Sequence, residues 1–443
     1  PEEAYYGANT QRAKEIFKIS GLSLPRVFIR ALGLIKLQAA RVNQELGLLD
    51  PEPGRAVEEA AREVLEGRFD GQFVVDVFQT GSGTSTNMNA NEIIAGRANE
   101  LLTGRRGSKS PVHPNDQVNK GQSSNDVIPT AIRLAALLSI REVLLPGLRL
   151  LKAELDTQAR ALAKVAKIGR THLQDALPVT LGQEFGGFAR QVELGLKRLS
   201  RAEEELSELP LGGTAVGTGL GAAEGFAARV IAGLARETGL PLSEAADHFE
   251  AQGAQDGLVA ASGHLRTIAL SLAKIANDIR LLASGPRAGL GEINLPRLQP
   301  GSSIMPGKVN PVVPEAVIQV AAQVSGNDLT VALGGQGGFF ELNTMLPVMA
   351  HNLLQSIALL GPAAALLAEK CVAGITPNRE RCAGLIEGSL ALSTYLVPEL
   401  GYDRAAALAE EAFRTGRTIR EVALEKGELT PERLDELLRP AEI

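Results

Sequence analysis

Between residues 126 and 376 the chain consists mostly of long apolar stretches whose hydrophobic positions recur every three to four residues. That spacing gathers apolar side chains on one face of a helix. It predicts helices over 130–163, 184–206, 225–238, 252–283, 314–331 and 342–369. Some of these stretches are apolar nearly all round, as in IRLAALLSIREVLL at 132–145. A helix of that kind is buried on most sides. A monomer of 443 residues does not easily enclose so many. The pattern therefore predicts a mainly α protein and a homo-oligomer with a shared helical core.

The ends of the chain read differently. Residues 1–125 mix short helices with loops. One helix follows Pro25, with apolar positions at Ile29, Leu32, Leu34, Ile35, Leu37 and Val42. PEPG at 51–54 reads as its stop, and a further helix is expected from Gly54 to Glu66. FVVDVF at 73–78 fits a short strand or a buried helical turn equally well. The tail from Pro377 reads as small helices, two of them opened by threonine caps at Thr418 and Thr430. The expected division is 1–125, 126–376 and 377–443.

From Leu342 to Ala368 there is no Asp, Glu, Lys or Arg. A spanning helix needs roughly 20 mostly apolar residues. The run also holds Asn343, Pro347, His351, Asn352, Gln355 and Pro362, so it reads as a helix buried among helices. No membrane segment and no secretory leader are expected, although a first residue other than methionine leaves room for a trimmed segment.

Composition sharpens this picture. Aromatic residues are 4% of the chain and tryptophan is absent, so the 44% apolar content is mainly Ala, Leu, Val and Ile. That is material for close-packed helices. The net charge of −6 excludes a general basic surface for nucleic acid. Cys371 and Cys382 match neither a zinc spacing nor a disulfide framework, which suits a reducing cytoplasm.

Four polar clusters interrupt the apolar chain. One lies in a proline- and glycine-rich stretch from Ser284 to Pro314, too long for an ordinary connector. Its GSSIMPGKVNP at 301–311 offers Ser302, Ser303, Lys308 and Asn310, with Glu315 just beyond. Glycine beside paired serines lets main-chain N–H groups approach an anion. TGSGTSTNMNANE at 80–92 supplies Ser82, Gly83 and Thr84 among many other donors. HPNDQVNKGQSSND at 113–126 places Ser123, Ser124 and Asn125 at the start of a long helix, where free N–H groups favour a carboxylate. The turn His113, Pro114, Asn115, Asp116 reads equally well as a solvated Asx-type turn. GRTHLQD at 169–175 carries His172 between two helical segments, and a histidine side chain relays protons near neutral pH.

Metal-ligand groupings, GxGxxG and a Walker lysine are all missing; Lys308 is followed by Val309. A cofactor-free site with neutral donors, one lysine and one candidate base suits proton abstraction beside a carboxylate. The carbanion would be held as an enolate dianion by oriented donors and Lys308.

These motifs resemble the aspartase/fumarase superfamily over essentially the whole chain. GSSIMPGKVNP resembles its signature loop, and GRTHLQD, HPND, SSND and GPRAGLGEI resemble the class II fumarate hydratase family within it. NPVVPE at 310–315 and AYYG at 4–7 are closer to aspartase, so an aspartate ammonia-lyase is the alternative. A structural role, as in lens proteins of this superfamily, would not need the intact set Ser302, Lys308, Asn310 and His172.

The resemblance implies a three-domain helical subunit in a homotetramer, with each active site shared by three subunits. It implies a metal-independent, cytoplasmic hydro-lyase of the tricarboxylic acid cycle that converts fumarate and (S)-malate. Ser302 matches the base for the C3 proton, and His172 paired with Glu315 matches the group that handles the water proton. Ser82, Gly83, Thr84, Ser123, Ser124, Asn125, Thr171, Ser303, Lys308, Val309 and Asn310 match substrate ligands. His113, Pro114, Asn115 and Asp116 match a second dicarboxylate site.

Overall fold

The computed structural model describes residues 3–107 and 109–438. Its first helices are α1 (Ala8–Ile16), α2 (Arg26–Glu45), α3 (Pro51–Leu65), α4 (Thr84–Thr103), α5 (Ser124–Ser139) and α6 (Leu145–Ala161). A hairpin of β1 (Ala166–Thr171) and β2 (Gln174–Thr180) follows. Next come α7 (Leu181–Leu206), α8 (Phe226–Thr238), α9 (His248–Gly253), α10 (Asp256–Leu282), α11 (Val312–Gly335) and α12 (Leu346–Lys370). The chain ends with α13 (Arg379–Glu387), α14 (Val397–Leu400), α15 (Tyr402–Thr415), α16 (Ile419–Glu425) and α17 (Pro431–Leu438). The remaining described strands are two-residue pieces: β3 (Glu208–Leu209) with β4 (Ser243–Glu244), β5 (Ile293–Asn294) with β8 (Thr376–Pro377), and β6 (Gly338–Phe339) with β7 (Leu342–Asn343). The mainly α expectation holds.

Two compact units divide the chain. The first takes the described residues of Pro1–Pro146, Gly195–Leu270 and Val320–Pro362. Its N-terminal core is α2 packed on α3, α5 and α8, with α4 packed on α3 and α5. The apolar pattern of α2 buries Phe28, Ile29, Leu32, Ile35 and Leu37 to 5% exposure or less. At roughly 25 cal/mol per Å² of apolar surface, each such side chain contributes about 1.5–3 kcal/mol. The second unit takes the described residues of Gly147–Leu194, Ser271–Gln319 and Ala363–Ile443. In it Ile168 of β1 joins a cluster with Ile386, Leu392, Leu396, Leu408, Val422 and Leu434.

Several expectations need correction. PEPG does not stop α2, which ends at Glu45; it opens α3 with Pro51 in the first turn, where a missing N–H costs nothing. FVVDVF is neither strand nor helix, being held instead by hydrogen bonds from Ser20, Gly21 and Phe78 to Asp76. The stretch 130–163 is two α-helices joined by a π-turn at Ile140–Leu144. His172 sits on a β-hairpin, which the apolar pattern did not announce. The segment 346–374 is long and apolar enough by length and composition to cross a membrane, but half of its most apolar window is buried in the protein.

Candidate active site

In the first unit the fold brings together two of the polar clusters, forty residues apart in sequence. Gly83 takes φ 72° at the start of α4, a left-handed conformation that favours glycine. A Cβ there would also lie 2.9 Å from Ile128 Cγ2 on α5, so the two helix starts pack without a side chain between them. Beside it the Ser82 and Thr84 hydroxyls share a hydrogen bond of 2.8 Å. Asn87 Nδ2 donates to Ser124 Oγ at 2.9 Å, linking the turn of α4 to that of α5.

Ser123 opens α5 with a capping box. Its Oγ accepts from Asn125 N at 3.2 Å, and Asp126 Oδ1 accepts from Ser123 N at 2.9 Å. Asp126 Oδ2 accepts from Gly212 N and Thr214 N at 3.1 and 3.0 Å, while Asn125 Nδ2 donates to Ala215 O at 2.8 Å. Burial pushes the Asp126 carboxyl up to about 6, although these N–H donors and Lys36 pull the other way. The donor-rich helix start is thus fixed on both sides.

Lys36 of α2 is a missed member of this group. Its side chain is fully buried, and Nζ donates to Asn119 Oδ1 at 3.0 Å and Gln122 Oε1 at 2.9 Å. Burial lowers its pKa to about 7, with Asp126 opposing that shift. Asn119 Oδ1 also accepts from Asn87 and Asn91, so a partly buried amide web runs from Lys36 to Ser124. A lone lysine in the apolar run LGLIKLQAA was the available signal. His113, also in this unit, caps the turn that follows it: Nδ1 accepts from Asn115 N and Asp116 N at 3.2 and 3.4 Å. Pro114 is buried, and Asn115 and Asp116 are exposed.

The second unit carries the other two clusters. His172 and Leu173 form the two-residue tip between β1 and β2, at φ 56° and 60°. Positive φ at both central positions is the geometry of a type I′ hairpin turn, usually filled by Asn-Gly. The tip leaves Thr171 and His172 exposed. Just before it, Arg170 grips Glu292 with two hydrogen bonds of 2.9 and 3.1 Å. The Glu292 side chain is fully buried, and Lys167 Nζ lies 3.5 Å from its Oε2. Glu292 immediately precedes β5 and the loop that carries Ser302. The charge pair therefore ties the hairpin to the root of that loop, a role that sequence reasoning also missed.

Within the loop, Gly301 N donates to Lys308 O at 2.8 Å, and Asn310 Nδ2 donates back to Gly301 O at 2.6 Å. A Cβ on Gly301 would lie 2.5 Å from Lys308 O, so the residue is glycine because the two loop ends touch there. Ser302 Oγ accepts from Ile304 N at 3.2 Å and Met305 N at 3.0 Å. Ser303, Lys308 and Val309 are exposed, while Ser302 and Asn310 are half-buried. Glu315 lies half-buried in the first turn of α11. Among the described residues no hydrogen bond or ion pair joins it to His172, and no group of three or more His, Cys, Asp or Glu side chains is placed to hold a metal ion.

The family model described as Lyase matches residues 1–326, and the one described as Fumarase C C-terminus matches 392–443. Fumarate hydratase class II of Neisseria meningitidis is 52% identical over 443 residues, covering 100% of this chain and 96% of that protein. The chain belongs to the class II fumarate hydratase family. The mitochondrial fumarate hydratase of Homo sapiens is likewise 52% identical, over 100% of this chain and 87% of that protein. The crystal structure of class II fumarase from Schistosoma mansoni superposes with a TM-score of 0.96 at 39% identity, covering 100% of this chain and 96% of that one. Membership of the family makes this chain a lyase of the fumarase fold, as the loop and hairpin motifs had indicated.

Proposed function

We propose that the protein hydrates fumarate reversibly to (S)-malate by a carbanion route, as a cytoplasmic enzyme of the tricarboxylic acid cycle. The observation that carries this reading is the full-length similarity, at 52% identity, to proteins named fumarate hydratase. It spans every segment that holds a proposed site residue.

In this reading Ser302 removes the C3 proton of malate. A serine hydroxyl is a weak base, and two N–H donors aimed at Oγ support the alkoxide form. The proton leaves C3 for Ser302, and the C3 electron pair delocalises into the neighbouring carboxylate as an enolate dianion. Lys308, Asn310, Ser303, Thr171 and the Val309 main chain hold substrate oxygens, as do Ser82, Gly83 and Thr84. Ser123, Ser124 and Asn125 add the donors of a helix start. His172, with Glu315, passes the proton that lets the C2 hydroxyl leave as water. The His113–Asp116 turn serves as a second dicarboxylate site. A homotetramer would complete each active site from three subunits, and the division 1–125, 126–376 and 377–443 belongs to the same proposal.

Turnover of malate and of aspartate, both followed by the absorbance of fumarate, tests the reaction. Malate should be consumed and aspartate should not; activity on aspartate alone would make the enzyme an ammonia-lyase, as NPVVPE and AYYG suggest. Ser302→Ala should lower malate turnover by about 10²- to 10⁴-fold with the oligomer intact. Unchanged turnover would remove Ser302 from the mechanism.

A further inference from the structure

Lys308 does not stand alone in its cavity. A hollow of about 740 Å³ in the second unit is lined by Lys308, Asn310, Asn294, Arg280, Arg297 and Asp278, among others. A neighbouring hollow of about 390 Å³ is lined by Ser302, Lys308 and again Arg297. Arg297 therefore borders both spaces that flank the proposed base and the proposed carboxylate ligand. Asp278 is already matched by Lys274 at 2.5 Å. Among the described residues, the side chains of Arg280, Arg297 and Lys308 make no hydrogen bond or ion pair. Leu281, Ile293 and Leu295 supply apolar wall. Low-dielectric walls around charges of one sign focus the field and concentrate counter-ions.

We propose that Arg297, assisted by Arg280, is an anion-capture residue that draws the dicarboxylate substrate into the cavity and passes it to Lys308. This rests on the reading of Lys308 as a substrate ligand. In this proposal the two guanidiniums act along the entry path and not at the reacting carbons. Capture needs charge, not the planar fork of a guanidinium. It is also screened by salt, because the Debye length is about 8 Å at physiological ionic strength and about 3 Å at 1 M.

The test is a charge series on the intact enzyme: Arg297→Lys, Arg297→Gln and Arg297→Glu, with kcat and kcat/KM for fumarate measured from low to high salt. At low salt Arg297→Lys should stay close to wild type. Arg297→Gln should lose about three- to tenfold in kcat/KM, Arg297→Glu should lose more, and kcat should move less than twofold throughout. The series should converge at about 1 M salt. Arg280→Gln should show the same pattern with a smaller amplitude. Equal losses in the Lys and Gln variants, or losses that ignore salt, would mean that Arg297 supports the loop and captures nothing. No effect in any variant would equally overturn the proposal. A wild-type enzyme that turns over neither fumarate nor malate would remove the functional reading, and this inference with it.

Discussion

Asp76 shows how one side chain replaces a secondary-structure element. Oδ2 accepts from Ser20 N and Gly21 N, and Oδ1 accepts from the Ser20 hydroxyl and Phe78 N, all at 2.8–2.9 Å. Burial works against the charged form, but the hydrogen bonds from Phe78, Ser20 and Gly21 outweigh it and hold the carboxyl at about 2. An unfolded aspartate titrates near 3.9, so the unfolded chain binds the extra proton as pH falls. The stabilisation is complete above about pH 4 and is lost as pH drops toward 2. Asp76→Asn should lower the melting temperature at neutral pH and flatten the acid limb of a melting-temperature profile between pH 4 and 2. An unchanged acid limb would mean that Asp76 gains nothing from these bonds. The same reasoning explains why FVVDVF misled: its apolar letters suggested an element, whereas its aspartate collects a loop.

At the scale of elements, the hairpin β1–β2 matters most. Two non-glycine residues in left-handed geometry cost about 1–2 kcal/mol each. The sequence accepts that cost at His172 and Leu173 because a two-residue turn projects the imidazole clear of the sheet. Such strain persists only where the surroundings over-determine it. Here the bidentate Arg170–Glu292 pair and the packing of Ile168 in the apolar cluster do so. Arg170→Lys keeps the charge but loses the fork. It should lower kcat by about 10- to 100-fold through displacement of His172, with a smaller change in KM. Stopped-assay kinetics beside a thermal melt would check this; an intact kcat with a lowered melting temperature would make the pair purely structural. The hairpin escaped the sequence pattern because Gly169 and Pro178 are poor strand formers and its register shifts between Ile168 and Arg170.

For the whole molecule, the first unit leaves Leu270, Leu329 and Leu333 on long helices 54%, 61% and 54% exposed, and Phe339 and Phe340 74% and 91% exposed. Large apolar side chains left exposed on long helices suit a contact with another molecule. It fits the proposed homotetramer, in which these exposed helix faces meet their counterparts; the stretch 132–140, apolar nearly all round, is instead buried within the single chain. Light scattering should give four times the 46.7 kDa chain mass. Leu329→Glu should shift the population to smaller species and lower malate turnover, since the proposed active sites, completed by several subunits, would vanish with the assembly. A monomeric, fully active wild type would defeat this picture.

The long helices were legible in the chain because their apolar spacing is a local property and their burial follows from it. The loop residues Ser302, Lys308 and Asn310 were legible too, because glycine and proline fix a loop wherever they crowd together. Tertiary structure alone decided that Ser82–Thr84 and Ser123–Asn125 share one corner, since that depends on α4 packing against α5. It alone decided that Lys36 underlies them and that Arg170 meets Glu292, 122 residues on. A buried charge chooses its partner through space, and periodicity along a chain carries no record of that choice.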